Sequence, residues 1–491
     1  METKLKLPKK KPIKRKIKLW KKINEEKLRK ECNVFKILFL KKYNIKSNIE
    51  ELWNFIKTNL IKIMEDNVPT KTASTKRHQP WITTTTKRLL RKKQRWLTKA
   101  RKSNSKNVWN IYKKIKGECQ KVCRKAHANY LLDMVENDVN NKKLFRYIKN
   151  KGQDNIGISD LKDKQGKLIQ DPVKKANLLN EQFGSVFSNQ SPRVSHNFPK
   201  HNKLPDMNNI TVTRAGVLKL LININPNKAT GPDGIPGRLL KLCANELVEV
   251  FQLLFQASLD QGSVPNDWKR ADITPLYKKG DKMQAENYRP VSLTSIACKL
   301  LEHIVHSNIM DHFDKFNVLD DSQHGFRKKR SCETQLINTV KDFSECLNSH
   351  GQIDAILLDF SKAFDKVDHE GLILKLENLG IRGSLLNWIR SFLIGREQRV
   401  LVDGKESDSK PVLSGVPQGT VLGPLFFLIY INDISKELSP GTTVRLFADD
   451  SLLFRTINNT EDTKILQKDL NTLQNWEKKW KWDFTLTSVS F

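Results

Sequence analysis

With 491 residues, 38% of them hydrophobic and 29% charged, the chain is long enough for two to four domains with ample cores. Its formal net charge of +34 is unevenly spread: residues 1–150 carry 43 Lys+Arg against 12 Asp+Glu, and residues 151–491 carry 44 against 41. A nearly neutral body behind a very basic arm has a polyanion as its natural partner, and the shortage of acids in the arm argues against a merely solvated charged face. Seven cysteines without framework spacing exclude a disulfide scaffold and indicate a reducing compartment.

In chain order, Pro8 to Lys16 has the look of a nuclear import run, which implies work in the nucleus as well as the cytoplasm and no secretion. Apolar residues at Ile49, Leu52, Phe55, Ile56, Leu60, Ile63 and Met64 have helical spacing. Val68 to Pro80 reads as a linker, and basic helices follow from Thr86 to Gly152, interleaved with Trp96, Trp109, Tyr112, Tyr130, Phe145 and Tyr147. Those aromatics suit either base stacking or the buried stripe of a bundle. Cys119, Cys123 and His127 fall on one helical face, but a single helix without a fourth ligand is a poor zinc site. Residues 153–211 form a connector with a small hairpin over Ile158 to Ile169 and an amphipathic helix over Lys174 to Phe187.

Further on, Asn227 to Pro236 is a Gly/Pro-rich turn, and Asp354 to Leu358 is a strand that stops at Asp359. The apolar run Val421 to Ile431 contains Gly423 and Pro424 and is too short to span a bilayer, so no membrane segment is expected. Val444 to Leu446 and Ser451 to Phe454 flank Phe447-Ala448-Asp449-Asp450, a predicted hairpin with acids at its turn. Two carboxylates this close repel unless a hard divalent cation neutralises them, and Asp359 is the candidate third ligand. Three carboxylates from neighbouring strands can hold two Mg²⁺ ions, the arrangement that clamps both oxygens of an in-line phosphoryl transfer.

Phe447-Ala448-Asp449-Asp450 resembles the catalytic box of reverse transcriptases of non-LTR retrotransposons of the jockey-like kind. Asp359 to Asp365 looks like the first motif of their palm and Gly415 to Pro424 like the second, in the same order. The resemblance implies an α+β right-hand polymerase fold: a basic helical extension over 1–152, the connector over 153–211, fingers over 212–345 and a palm with an antiparallel sheet over 346–491. It implies RNA-directed DNA synthesis with an RNA template, a DNA primer, deoxynucleoside triphosphates and two Mg²⁺, Mn²⁺ being an alternative. Asp359, Asp449 and Asp450 are the implied catalytic and metal residues. Lys278, Lys279 and Arg289 on a fingers hairpin, Phe364 as a gate against the ribose 2′-hydroxyl, and Gln418 with Gly419 are implied to bind nucleotide. Gly231 and Asp233, with Gly325, Phe326 and Arg327 of the Gln323 to Arg327 box, are implied to lie against the template. Ile465 to Trp480 matches the palm helix that follows the catalytic hairpin. The acid and His clusters of the family's endonuclease are not seen, and the chain stops at Phe491 where the family continues into a thumb. A truncated copy that only binds nucleic acid is the rival reading. An intron-encoded maturase is a second, which needs a splicing domain after the thumb.

Overall fold

The computed structural model describes residues 16–72, 79–103, 105–136, 143–145, 147–148, 157–187, 204–360, 362–482 and 484–487. The import-like run at Pro8 lies, except for Lys16, outside them, as does most of the segment read as a polar connector after Phe187. In chain order the elements begin with β1 (Lys16–Lys18), α1 (Glu25–Lys42), α2 (Ile49–Asn67), β2 (Thr70–Thr72), α3 (Thr84–Ser103) and α4 (Lys106–Glu136). Next come β3 (Leu161–Lys162), β4 (Leu168–Ile169), α5 (Pro172–Gly184), α6 (Arg214–Ile222), α7 (Gly237–Leu242), α8 (Ala244–Asp260), β5 (Arg270–Tyr277) and β6 (Tyr288–Leu293). They continue with α9 (Ile296–Lys315), α10 (Cys332–Asn348), β7 (Gln352–Phe360), α11 (His369–Asn378), α12 (Gly383–Leu393), β8 (Arg396–Val402), β9 (Lys405–Glu406) and β10 (Lys410–Val412). The last are α13 (Leu422–Ile431), β11 (Thr442–Phe447), β12 (Asp450–Ile457), α14 (Thr460–Trp480) and β13 (Phe484–Thr487). Helices and sheets are mixed in the α+β manner.

The chain divides into two units, one of residues 1–22 and 69–158 and the other of residues 23–68 and 159–491. This corrects the expected boundary at residue 152. Both α1 and α2 belong with the larger unit because each carries an apolar face that packs on α8: Leu28, Cys32, Phe35 and Phe39 on α1, and Leu52, Trp53, Ile56 and Leu60 on α2, are buried. Trp53 stands edge-on to Trp268, with ring centroids 5.3 Å apart, and its indole N–H donates to Asp267 Oδ2 at 3.1 Å. Local signals place the helix ends. Asn24 and Asn48 cap α1 and α2 with side-chain oxygens, and Glu25, Glu26, Glu50 and Glu51 fill the first turns.

In the smaller unit α3 packs against α4, and β1 pairs with β2. Trp81, His127, Tyr130 and Tyr147 pack on one another with centroids 4.5 to 6.2 Å apart, and a hydrogen bond of 2.7 Å joins His127 Nε2 to the Tyr147 hydroxyl. Of the interleaved aromatics, Tyr130 and Tyr147 thus pack within this half-buried cluster. The basic residues lie outside it.

Two sheets organise the larger unit. One is antiparallel, in the order β11-β12-β7-β13; the other runs β10-β8-β5-β6 with β9 on β8, and β5 pairs in parallel with β8. Because that parallel pair joins residues 270–273 to 397–400, the expected division at residue 345 cuts through a single sheet. The expected hairpin near residue 160 is present, Leu161 opposite Ile169. The all-apolar α13 is buried along its length, and α14 buries Leu466, Leu473, Trp476 and Trp480 on one face. It starts at Thr460, five residues before the expected Ile465, because Asn459 caps it and Glu461 and Asp462 follow. A buried cation fastens it: Lys375 of α11 donates to Asp433 Oδ1 at 2.7 Å with its ammonium 3.6 Å from the Trp480 ring centre. Burial pushes that amine down to about 8. Among the described residues no helix is long and apolar enough to cross a membrane.

Candidate active site

The three acids meet at one end of the antiparallel sheet. Strand register sets Asp450 of β12 directly opposite Asp359 of β7, so both side chains leave the same face, whereas their neighbours Ser451 and Leu358 point into the core. Phe447 pairs with Asp450 and closes a two-residue turn made of Ala448 and Asp449. Asp450 is therefore the first residue of a strand, and only Asp449 is in the turn. Ala448 has φ +58°, a left-handed conformation that costs a residue with a Cβ about 1–3 kcal/mol and persists where surroundings enforce it. Burial raises the Asp449 carboxyl above the ordinary aspartate range, the charges of Asp450 and Asp359 raise it further, and Arg289 opposes them.

Around this turn opens a cleft of about 420 Å³ lined by Asp359, Asp449, Lys278, Glu286, Tyr288, Arg289, Lys362, Phe364, Asp365 and Gln418, among others. Its basic wall comes from the β5–β6 hairpin. Lys278 and Arg289 reach the cleft, while Lys279, next along the hairpin tip, is exposed and does not line it. Phe364 lies half-buried with its ring stacked 4.5 Å from Phe427 at 14° and edge-on to Phe326 at 6.0 Å. The loop bearing Gln418 and Gly419 is wedged between β6 and the turn after β7. Ser292 N donates to Gln418 O at 2.9 Å, and Val416 N to Phe364 O at 2.8 Å. Gly419, at φ +107°, has Ser292 O only 2.7 Å from where a Cβ would stand, so glycine is needed there for both conformation and space.

Two of the residues expected at the template lie inside the fold. Gly231 is packed against the backbone of Thr294 and Ser295, with atoms 2.6 Å from a built Cβ, and Asp233 is 2% exposed, its carboxyl raised by burial while Ser295 and the Ile235 amide bond to it. Both pack against the residues that lead into α9. Arg327 is also committed internally, donating to Asp320 O at 2.6 Å and pairing with Asp321 at 3.5 Å. Phe326 is 58% exposed. Gly325 abuts the Ala448–Asp449 turn, since a Cβ there would come 2.3 Å from Ala448 N.

Three further residues were given no role by the sequence, although Gln323 and Asp365 fall within boxes that it singles out. Glu302, fully buried on α9, accepts from Val421 N at 2.6 Å and Leu422 N at 3.1 Å and so caps α13 from a distance in sequence. Gln323 bonds the Ala448–Asp449 turn through Ala448. Asp365, raised by burial to about 6 against the opposing influence of Lys362 and Gln418, accepts from Gln418 Nε2 at 3.3 Å. Because its folded value lies above the usual 3.8, the carboxyl is mostly ionised only above about pH 6, and protonation below that exchanges the charged acceptor that orients the Gln418 amide for a weaker neutral one that also carries a donor. If the cleft takes the nucleotide that the resemblance implies, the expected result is a nucleotide KM that rises as pH falls through 6 in the parent and is flat with pH in Asp365→Asn. Steady-state kinetics between pH 5.5 and 7.5 measure it, and a parent KM that does not move across that range removes Asp365 from control of Gln418.

The acid pair with Asp449 has the chemistry of a hard-cation site, three like charges with one arginine against them. As the side chains stand, no group of three His, Cys, Asp or Glu among the described residues is gathered closely enough to enclose a metal. Cys119 and Cys123 share a face of α4, and His127 of that face is bonded to Tyr147.

Residues 277–487 match the family model described as reverse transcriptase (RNA-dependent DNA polymerase). The chain is 31% identical over 278 residues to the RNA-directed DNA polymerase from mobile element jockey of Drosophila melanogaster, a match covering 55% of this chain and 30% of that protein. It is 29% identical over 272 residues to the probable RNA-directed DNA polymerase from transposon BS of the same species, covering 54% and 30%. A third relative is the retrovirus-related Pol polyprotein from type-1 retrotransposable element R2 of Popillia japonica, 25% identical over 236 residues, covering 45% and 32%. The matches thus span about a third of the length of these relatives.

Proposed function

We propose, from the premise that residues 277–487 are a reverse transcriptase domain akin to those of jockey-type mobile elements, that this chain is an RNA-directed DNA polymerase of a non-LTR retrotransposon. Its substrates are an RNA template, a DNA primer and deoxynucleoside triphosphates. The observation that carries the proposal is the placement of Asp359 opposite Asp450, with Asp449 on the adjoining turn, across a cleft from Lys278 and Arg289. Carboxylates and cations lining one cleft suit a triphosphate whose reacting end is held by Asp359 and Asp449 and whose tail meets Lys278 and Arg289.

The antiparallel sheet then serves as palm and the β5–β6 hairpin as fingers. Divalent cations, Mg²⁺ or Mn²⁺, held by Asp359, Asp449 and Asp450 would neutralise charge building on the transferred phosphoryl group and lower the pKa of the primer hydroxyl. The primer 3′-hydroxyl loses its proton to solvent as its oxygen bonds to the α-phosphorus, the bond from the α-phosphorus to the bridging oxygen breaks, and pyrophosphate leaves. Arg289, as a planar fork, and Lys278, as a point charge, hold the triphosphate in line. Phe364 supplies the floor beneath the sugar, and the Gln418–Gly419 loop lets backbone approach the nucleotide. Cytoplasm and nucleus are the proposed places of work. The test is primer extension on an RNA template with purified protein: deoxynucleotide incorporation is expected, and binding of primer-template without extension would favour the binding-only reading.

A second expected result concerns Phe364→Val. Opening space beside the sugar raises ribonucleotide incorporation relative to deoxynucleotide by roughly ten- to hundredfold, the range open to a steric pocket. The same change gives up the stack on Phe427 and destabilises by about 1–3 kcal/mol. Single-nucleotide incorporation ratios decide it, and unaltered discrimination alongside the lost stability returns Phe364 to a packing role.

A further inference from the structure

Residues 322–324 lie along the outer edge of β11, the edge strand of the antiparallel sheet. Leu446 N donates to Ser322 O and His324 N to Leu446 O, both at 2.9 Å, which makes one rung of parallel pairing just before the catalytic turn. That rung places the Gln323 side chain, 4% exposed, beneath Ala448. Its Oε1 accepts from Ala448 N at 2.9 Å and from Gly325 N at 2.7 Å, and its Nε2 donates to Ala448 O at 3.3 Å. Two N–H donors on one atom and a carbonyl on the other fix which way the amide lies. Both polar groups of Ala448 are thereby held by one side chain.

We infer that Gln323 is a positioning residue for the catalytic turn: by gripping both backbone groups of left-handed Ala448 it holds Asp449 where it can serve as a ligand beside Asp359 and Asp450. This rests on the polymerase reading above. The physical need is plain. A two-residue turn with φ > 0 at its first central residue prefers glycine, and alanine there stays strained unless surroundings hold it. Gln323 supplies the hold through three hydrogen bonds in a buried, low-dielectric place where each lost bond leaves an orphaned backbone group. Gly325 completes it, since any side chain there would collide with Ala448 N. The Gln323 to Arg327 box, expected at the template, acts here through its first residue on the acids.

The variants are Gln323→Leu, which keeps bulk and loses all three bonds, and Gln323→Glu, which keeps two acceptors. In the second, an ionised carboxyl sets an oxygen against Ala448 O, whereas the protonated form restores a donor. Expected for Gln323→Leu are a kcat lowered by about ten- to hundredfold, a nucleotide KM within about twofold of the parent, and Mn²⁺ binding to the free protein weakened by about tenfold, read by titration calorimetry. Gln323→Glu should recover toward the parent as pH falls, a profile that Gln323→Leu lacks. Parental kcat and Mn²⁺ affinity in Gln323→Leu, or a raised KM for primer-template with kcat intact, would overturn the inference; the second outcome would hand the residue to the template. Asp449→Asn run in parallel separates the two claims. If it extends primers as the parent does, the polymerase site is misplaced, whereas Mn²⁺ binding in the Gln323 variants still reports on the grip itself.

Discussion

Asp449→Asn should abolish primer extension, by about a thousandfold or more, without loss of fold. Asparagine has the shape of aspartate and keeps a carbonyl oxygen, but it removes one of the three charges that a cation at this site would need, which is worth several kcal/mol at the transition state. The thermal midpoint should hold or rise. Burial and two neighbouring carboxylates already raise the Asp449 carboxyl, so its ionised form is a liability to the fold without a cation, and removing it relieves Asp450 and Asp359. Activity and stability should therefore part company, which separates a catalytic acid from a structural one. Asp359→Asn should behave in the same way because its Cα partner across the strands is Asp450. An Asp449→Asn protein with parental extension activity would sink the site.

The elements around those acids were legible because each is written in local pattern. β7 is an apolar run ending in Asp359, β11 and β12 alternate about a turn, and α2 and α14 have helical spacing with asparagine caps. What could not be read is partnership across the chain. Nothing near Gln323 says that its amide meets Ala448, 125 residues away. Nothing near Glu302 says that it caps a helix beginning at Leu422. Asp233 sits in a Gly/Pro-rich turn of the sort that usually faces solvent, yet it is buried, with Ser295 and the Ile235 amide bonded to it. The same blindness misdrew the arm. Averaged charge over residues 1–150 hides the apolar faces of α1 and α2, and composition cannot tell a helix that packs on α8 from one that does not.

That correction decides how the arm should be tested, because deleting residues 1–150 would strip buried Leu28, Phe35, Phe39, Trp53 and Leu60 from the larger unit and expose α8. Charge, not length, is the variable to change. α3 carries nine Lys and Arg and no acid. Six of them, Arg88, Arg91, Lys92, Arg95, Lys99 and Lys102, are exposed and follow one another at helical spacing on a single face, with Thr86 and Ala100 buried on the other. The stripe is roughly 21 Å long at 1.5 Å per residue, which sets it against about a dozen phosphate charges of a duplex. Replacing all six with Gln keeps helix propensity and leaves the packed face untouched. Non-specific affinity for RNA and DNA should fall by about three decades near physiological salt, and the slope of log affinity against log salt should become shallower by up to about 5, at 0.9 for each phosphate no longer neutralised on duplex DNA. Extension should persist on saturating primer-template but turn distributive, since the acids of the cleft are unchanged while the grip between additions is lost. Neutralising six exposed cations of α4 instead, Lys113, Lys114, Lys116, Lys121, Arg124 and Lys125, is the control for total charge. An α3 variant that kept the parental slope would remove the stripe from nucleic-acid binding. Equal losses in both variants would spread the contact over the whole hairpin.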